Sequence, residues 1–173
     1  RVFGYAQDKS VVLLPEVAVI RAQKASAQGT VRVEGVLGSD IDQAVSARVL
    51  IVECERICPE EELRFCPEHN QIPGFLVHAV VEQPFGAHPT AVANYYDYDY
   101  QWLQKYVQTC NHQSLDYIKR FWDNEVRDTE NDWDYLTRKI GWGHLLDLIA
   151  DPVYHYNPWY DRFGEKEGGK KHG

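Results

Sequence analysis

The fold follows from residues 73–81, which read PGFLVHAVV, and from residues 82–90, which read EQPFGAHPT. The first segment is apolar, rich in β-branched residues, too short for a typical helix, and begins after a Pro-Gly break. These features predict a strand that starts at Phe75. The second segment contains two prolines, a glycine and a histidine, which are typical of a loop. Because ligands of open α/β sheets bind at loops that leave the carboxyl ends of strands, we predict that this loop lies at the functional edge.

Upstream of this stretch, predicted strands alternate with predicted helices. Near-continuous apolar runs are typical of strands that are covered on both faces of a parallel sheet. Helix starts are indicated by a Ser or Asp cap and by Pro followed by acidic residues. The segments are Val11–Leu14 (strand), Val17–Ala22 (strand), Thr30–Glu34 (strand), Ile41–Arg48 (helix after Ser39 or Asp40), Val49–Val52 (strand) and Pro59–Arg64 (helix). This alternation predicts an α/β fold with a mainly parallel sheet.

Downstream of Tyr98, apolar and aromatic residues recur at helical spacing. We therefore predict an α/β domain at residues 1–111, a helical extension packed on it at residues 112–163, and a disordered tail at residues 164–173. The dense aromatic stretch from Tyr95 to Tyr106 is interpreted as a subunit interface or a helix-packing surface, with a ligand pocket as the alternative.

Composition narrows the classes of function. The formal net charge is −8, which argues against nucleic-acid and anionic-membrane surfaces. The longest apolar runs are too short to cross a bilayer. The four cysteines lack the spacing of a structural zinc site, so we predict reduced thiols, no bound metal and a cytoplasmic location. The sequence contains no methionine, not even at position 1, which suggests a processed chain or a fragment of a longer one.

An ordered series of segments resembles a known family. Residues 17–30, VAVIRAQKASAQGT, and residues 47–55, ARVLIVECE, resemble corresponding stretches of family I coenzyme A transferases. Residues 17–30 look more particularly like alpha subunits of the glutaconate CoA-transferase type, and the most specific part of the resemblance runs from Ile72 to Asp99. The chain as a whole resembles the carboxyl-terminal part of such a subunit. Arg56 departs from the pattern, since a glutamate is common there. Glycine-rich turns and serine-containing segments of the amino-terminal half of these alpha subunits have no counterpart in this sequence.

The resemblance implies a NagB/RpiA-like α/β fold and a beta-type partner subunit, assembled as a heterotetramer. It also implies transfer of CoA between (di)carboxylic acids, with acyl-CoA as substrate and no permanently bound cofactor. The nucleophilic glutamate is expected on the partner, so the chain alone is predicted to be inactive. A further chain carrying the amino-terminal half is a possible partner. The alternatives are a ring-opening acyl-CoA hydrolase, a decarboxylase subunit or a non-catalytic scaffold.

Candidate site residues lie at two predicted strand ends. Gly86, Ala87, His88 and Pro89 are small or rigid residues that would allow close approach of a CoA thioester or a partner's backbone, with His88 as a hydrogen-bond donor. The alternative is a strand-exit turn with a surface histidine. Paired glutamates, Glu53 and Glu55, could share a proton and act as acid and base, or could be solvated loop acids.

Overall fold

A computed structural model describes residues 14–112 and 114–161. The chain forms two compact units, the first at residues 1–86 and the second at residues 87–173. The domain boundary predicted between residues 111 and 112 stays a prediction. The predicted tail and most of the predicted strand at residues 11–14 lie outside the described residues.

The first unit contains a four-stranded sheet in the order β2-β1-β3-β4. Its strands are β1 (Val17–Ala25), β2 (Val31–Arg32), β3 (Val49–Ile57) and β4 (Ala79–Glu82), and its helices are α1 (Asp40–Ser46) and α2 (Glu60–Arg64). Strand β3 pairs in parallel with β1 and with β4, whereas β2 is antiparallel to β1. The prediction of a mainly parallel sheet with helices is therefore confirmed.

The core of this unit lies on one face of the sheet. Ile20 of β1 packs with Leu50 and Val52 of β3, and all three side chains are almost fully buried. On the opposite face of β1, Val17 is 53% exposed and Val19 is 60% exposed. The expectation that β1 is covered on both faces is therefore wrong for the part of the chain that the structure describes. Side chains alternate along a strand, and only one set of them contacts the described core.

The strand predicted from Phe75 begins later than expected. Residues Gly74–Leu76 form a 3-10 turn, and the strand itself is limited to Ala79–Glu82. The turn crosses residues 28 and 29 so closely that a Cβ atom at Gly74 would lie 2.6 Å from the carbonyl oxygen of Gln28. Phe75 consequently points outward and is 85% exposed. Hydrophobicity alone does not reveal this backbone contact.

The second unit is helical, as predicted. It contains α3 (Tyr100–Asn111), α4 (Leu115–Trp122), α5 (Asp132–Asp134) and α6 (Trp142–Leu148), with π-helical segments at Asp123–Arg127 and Tyr135–Ile140. Its buried side chains include Phe121, Leu136 and Leu145. Among the helices of residues 14–112 and 114–161, none has the length and apolar character required to span a membrane.

Candidate functional site

An arginine and two glutamates within strands β1 and β3 meet beside the carboxyl end of β4. Arg21 of β1 lies beside Glu53 of β3, with Arg21 Nη1 3.4 Å from Glu53 Oε1. Arg21 Nη2 forms an ion pair with Glu55, whose side chain is only 3% exposed. The same nitrogen donates a hydrogen bond to the carbonyl oxygen of Gln83 at 2.7 Å. The interpretation of Glu55 as a solvated loop acid is therefore wrong, because Glu55 is a buried residue of β3 that binds Arg21.

These charged side chains also fix the loop that follows β4. Glu55 Oε2 accepts a hydrogen bond from the backbone N–H of Phe85 at 2.9 Å. Phe85 adopts a left-handed conformation with φ of 58°, which turns the chain sharply. A Cβ atom at Gly86 would contact Arg21 Nη1 and would lie 2.6 Å from Glu53 Oε1. Glycine is therefore required at position 86 for space, and the Arg21–Glu53–Glu55 cluster and Gly86 form one structural feature.

We expect Gly86→Ala to destabilise the first unit by about 1–2 kcal/mol, since extra methyl groups in packed sites cost about this much. The Arg21 side chain cannot move aside without losing its contacts to Glu55 and Gln83. Hydrogen exchange of the β3 and β4 amides would measure the change. A suitable control is Gly38→Ala, because a Cβ atom there would lie 3.7 Å from its nearest neighbour, Asp40 Oδ2. Equal exchange rates in the two variants would contradict the proposed close approach.

His88 lies in a different environment, in the second unit. Its side chain is 1% exposed, and its Nε2 lies 3.0 Å from Asp99 Oδ2. Its Nδ1 lies 2.8 Å from the hydroxyl of Tyr135. His144 Nε2 approaches the same Asp99 oxygen at 2.8 Å. The interpretation of His88 as a surface histidine is wrong, because both of its ring nitrogens have buried partners.

Asp99 connects this network to helix α3. Its Oδ1 caps the helix by accepting a hydrogen bond from the backbone N–H of Trp102 at 2.9 Å. Burial alone would disfavour the carboxylate, but hydrogen bonds from His88, the Trp102 N–H and His144 lower the pKa of Asp99 below its ordinary value. Because the ionised carboxylate of Asp99 can only accept, His88 donates Nε2–H to it, and His88 Nδ1 lies at hydrogen-bond distance from the Tyr135 hydroxyl.

The residues flanking His88 are held by backbone contacts within the second unit. The N–H of Ala87 donates to the hydroxyl of Tyr96 at 3.1 Å. The carbonyl oxygen of Pro89 accepts from the N–H of Asp99 at 2.9 Å. The peptide bond between His88 and Pro89 is cis. Residues 87–89 therefore form a rigid segment of the helical unit, anchored mainly by Asp99.

The predicted site residues thus belong to two separate clusters. Gly86 contacts Glu53 and shares Arg21 with Glu55, whereas His88 belongs with Asp99, Tyr135 and His144. The residues not predicted from the sequence are Arg21, Asp99, Tyr135 and His144. Arg21 carried a usable signal, since it is the charged residue that follows the apolar run Val17–Ile20 within β1. Tyr135 and His144 lie too far along the chain from His88 to be paired with it by spacing.

The thiol of Cys54 is unreactive at neutral pH. Burial, reinforced by the charge of Glu82, raises the pKa of Cys54 to about 11, so its thiol is protonated at neutral pH. Among residues 14–112 and 114–161, no group of three or more His, Cys, Asp or Glu side chains is arranged to hold a metal ion.

Comparison with known proteins shows which family the chain is similar to. A coenzyme A transferase family model matches residues 9–83. The A-type subunit of glutaconate CoA-transferase from Acidaminococcus fermentans is 38% identical over 154 residues, which is 86% of this chain and 47% of that protein. The crystal structure of the same enzyme superposes with a TM-score of 0.75 at 39% identity, covering 82% of this chain and 44% of that one. Over these residues, the chain is similar to coenzyme A transferases.

Two other relatives are similar to this chain. An uncharacterised protein from Archaeoglobus fulgidus is 34% identical over 152 residues, covering 84% of this chain and 33% of that protein. The A-type subunit of 3-oxoadipate CoA-transferase from Pseudomonas knackmussii is 34% identical over 90 residues, covering 52% of this chain and 31% of that protein. The chain therefore spans between about a third and a half of the length of these curated relatives. The resemblance to alpha subunits of the family is confirmed.

Proposed function

We propose that the chain is an alpha-type subunit of an enzyme that transfers CoA between (di)carboxylic acids. The observation that carries this proposal is the 38% identity to the A-type subunit of glutaconate CoA-transferase over 86% of the chain. A superposable fold supports it, with a rigid small-residue loop at the carboxyl end of a parallel strand, where α/β enzymes bind ligands.

In this proposal, the reacting carboxylate belongs to a beta-type partner subunit. The partner's glutamate attacks the acyl-CoA thioester and displaces CoA thiolate, forming a mixed anhydride. The thiolate then attacks the glutamyl carbonyl, which releases the first acid and leaves a glutamyl thioester. The acceptor acid enters by the same steps in reverse, which gives ping-pong kinetics. No permanent cofactor is required, since the CoA thioester is itself a substrate.

In this proposal, the chain's own residues shape one side of a substrate cleft that it shares with the partner subunit. Glu53 and Glu55 are engaged by Arg21, so they support the loop and do not attack the substrate. Gly86 is held against Arg21 and Glu53, and its backbone, which follows the carboxyl end of β4, is where a thioester or the partner's backbone would approach. Ala87, His88 and Pro89 follow directly in the chain, and His88 acts as a fixed structural link.

The proposed assembly contains the beta-type subunit, together with a chain or segment that supplies the other half of the alpha fold. We propose that it is a cytoplasmic heterotetramer, without nucleic-acid or membrane partners. The domain boundaries at residues 1–111, 112–163 and 164–173 also remain proposals. The part of the alpha fold that this chain supplies is proposed to be the carboxyl-terminal one, as the resemblance of residues 72–99 implies.

The test is to purify the chain with its natural partners and measure CoA exchange between dicarboxylic acids. We expect exchange by the complex, none by the chain alone, and ping-pong kinetics. Opening of the ring of a cyclic acyl-CoA by water, with the thioester left intact, would instead identify a ring-opening hydrolase. Release of carbon dioxide from an acyl-CoA would instead identify a decarboxylase. A stable monomer that binds neither a partner nor a CoA ester would favour the non-catalytic scaffold.

A further inference from the structure

One face of the sheet carries apolar side chains that lie outside the buried core. Side chains alternate along a strand, so the odd-numbered residues of β1, β3 and β4 share this face. The strand register places Val19 beside Ile51, and Ile51 beside Ala79. We call the apolar part of this surface the open face, and it consists of Val17, Val19, Val49, Ile51, Ala79 and Val81.

The open face is accessible although it lies in the middle of a sheet. Val17 and Val19 are both more than half exposed, and Val81 is 45% exposed. Strands β1 and β3 occupy the two central places in the sheet, and β1, β3 and β4 are parallel to one another. Parallel strands are found almost only in sheets that are covered on both faces. A contiguous apolar surface at this place therefore marks an interaction surface.

The connections between the parallel strands lie on the other face. From β1 to β3, and again from β3 to β4, the chain moves in the same direction across the sheet. Because crossovers between parallel strands are right-handed, two that run in the same direction lie on the same face. Ala44 of the first connection and Ile72 of the second both pack in the buried core with Leu50. Neither connection therefore covers the open face.

The open face has the dimensions of a short helix. The distance from β1 across β3 to β4 is about 10 Å, which equals the diameter of an α-helix. From Val17 to the level of Arg21, the face extends about 13 Å, the length of two to three helical turns. At the end of this length Arg21 and Glu53 meet the backbone of Gly86. The occupant is therefore one amphipathic helix that covers the apolar part and ends before the charged pair.

The solved relative has enough additional chain to supply such a helix. This chain aligns with 47% of the A-type subunit of glutaconate CoA-transferase from Acidaminococcus fermentans and superposes on 44% of the solved chain. More than half of that subunit therefore has no counterpart in this chain. Helices that cover a parallel sheet normally belong to the same α/β fold, because they connect its strands. This favours the other half of the alpha fold over a beta-type subunit or a second copy of this chain.

We propose that the open face binds an amphipathic helix from the other half of the alpha fold. This inference rests on the proposed function, in which another chain or segment supplies that half. The helix presents apolar residues at i, i+3, i+4 and i+7 to Val19 and Ile51, and its polar side faces away from the sheet. Burial of the exposed valines then stabilises the association of the two halves.

Photo-cross-linking from position 19 in the complete complex tests the proposal. Val19 is replaced with p-benzoylphenylalanine, the complex is purified through a tag on this chain and irradiated, and the attached peptide is identified by mass spectrometry. We expect a peptide with helical apolar spacing that aligns with the part of the Acidaminococcus fermentans subunit which this chain leaves uncovered. The same group at Val36, which is 99% exposed and lies outside the sheet, should not attach to that peptide. A cross-link from position 19 to the beta-type subunit, to a second copy or to another part of this chain, or no cross-link, would overturn the proposal.

A matched pair of variants measures what the open face contributes. Val19→Asp should weaken the association of the two halves at least about 10-fold, because the helix would bury an unpaired carboxylate. Val36→Asp should leave the association unchanged. The cross-link remains decisive if Val19→Asp fails to fold. CoA exchange by the same complex separates the two proposals: exchange without the cross-link would overturn the docking alone, and the cross-link without exchange would overturn only the proposed reaction.

Discussion

Replacing Arg21 with methionine is expected to destabilise the sheet by about 3–5 kcal/mol, the usual effect of breaking a buried ion pair. Methionine approximates the length of the arginine stem but leaves the Glu55 carboxylate, 3% exposed, without its cation. The desolvated charge is the main reason for the size of the effect. The loop after β4 would also loosen, since Arg21 binds the carbonyl oxygen of Gln83.

Hydrogen exchange of peptides from β1 and β3 would measure this loss. Arg48→Met is the matched control, because Arg48 and its partner Glu16 are 80% and 82% exposed and such pairs contribute less than about 1 kcal/mol. Adding Glu55→Gln to Arg21→Met should restore more than about 1 kcal/mol of the free energy of unfolding that Arg21→Met loses. Glutamine removes the buried charge, and its side-chain oxygen can still accept a hydrogen bond from the Phe85 N–H. A double variant no more stable than Arg21→Met would contradict a buried-charge explanation.

Asp99→Asn is expected to destabilise the helical unit by about 2–3 kcal/mol, the range for losing hydrogen bonds to a charged group. An asparagine amide can cap helix α3 through its oxygen, but it directs an N–H group towards His88 and His144. All five tryptophans lie after residue 87, so tryptophan fluorescence during urea unfolding reports on this unit. Asp147→Asn, at an exposed position of α6, should change stability by less than about 0.5 kcal/mol.

Asp99 should also make the stability of the helical unit depend on pH. The pKa of Asp99 is lowered by folding, so its contribution to stability is present above the unfolded pKa of about 3.9. That contribution is lost as the pH falls through the folded value. The Asn variant should lack this part of the acid destabilisation, so the two urea midpoints should converge below about pH 4. If the difference between the two urea midpoints stayed constant down to pH 3, the role assigned to the carboxylate would be contradicted.

The sequence predicted the architecture well because hydrophobic patterning and strand–helix alternation are local signals. Strands β1 and β3 and helices α1 and α3 follow from such patterns. The pairing of Arg21 with Glu55 could not be predicted, since it depends on the register between strands whose sequences lie far apart. The late start of β4 depends on the contact between Gly74 and Gln28, which no periodicity encodes.

The candidate site also depends on contacts between distant segments, which the sequence alone does not reveal. The residues from Gly86 to Pro89 were found from the sequence as one loop, yet the structure assigns them to two clusters with different partners. The loop residues are local in sequence, whereas their partners Glu55, Asp99 and Tyr135 are not. Ion pairs and buried histidines are therefore features that the fold creates by bringing distant segments together.

The central claim is that this chain shapes a shared cleft while the attacking carboxylate belongs to the partner subunit. The most direct measurement is mass spectrometry of each chain after the purified complex is incubated with an acyl-CoA and denatured in acid. We expect a CoA adduct on a glutamate of the beta-type subunit, with none on this chain. An adduct on a glutamate of this chain, such as Glu53 or Glu55, would contradict the claim.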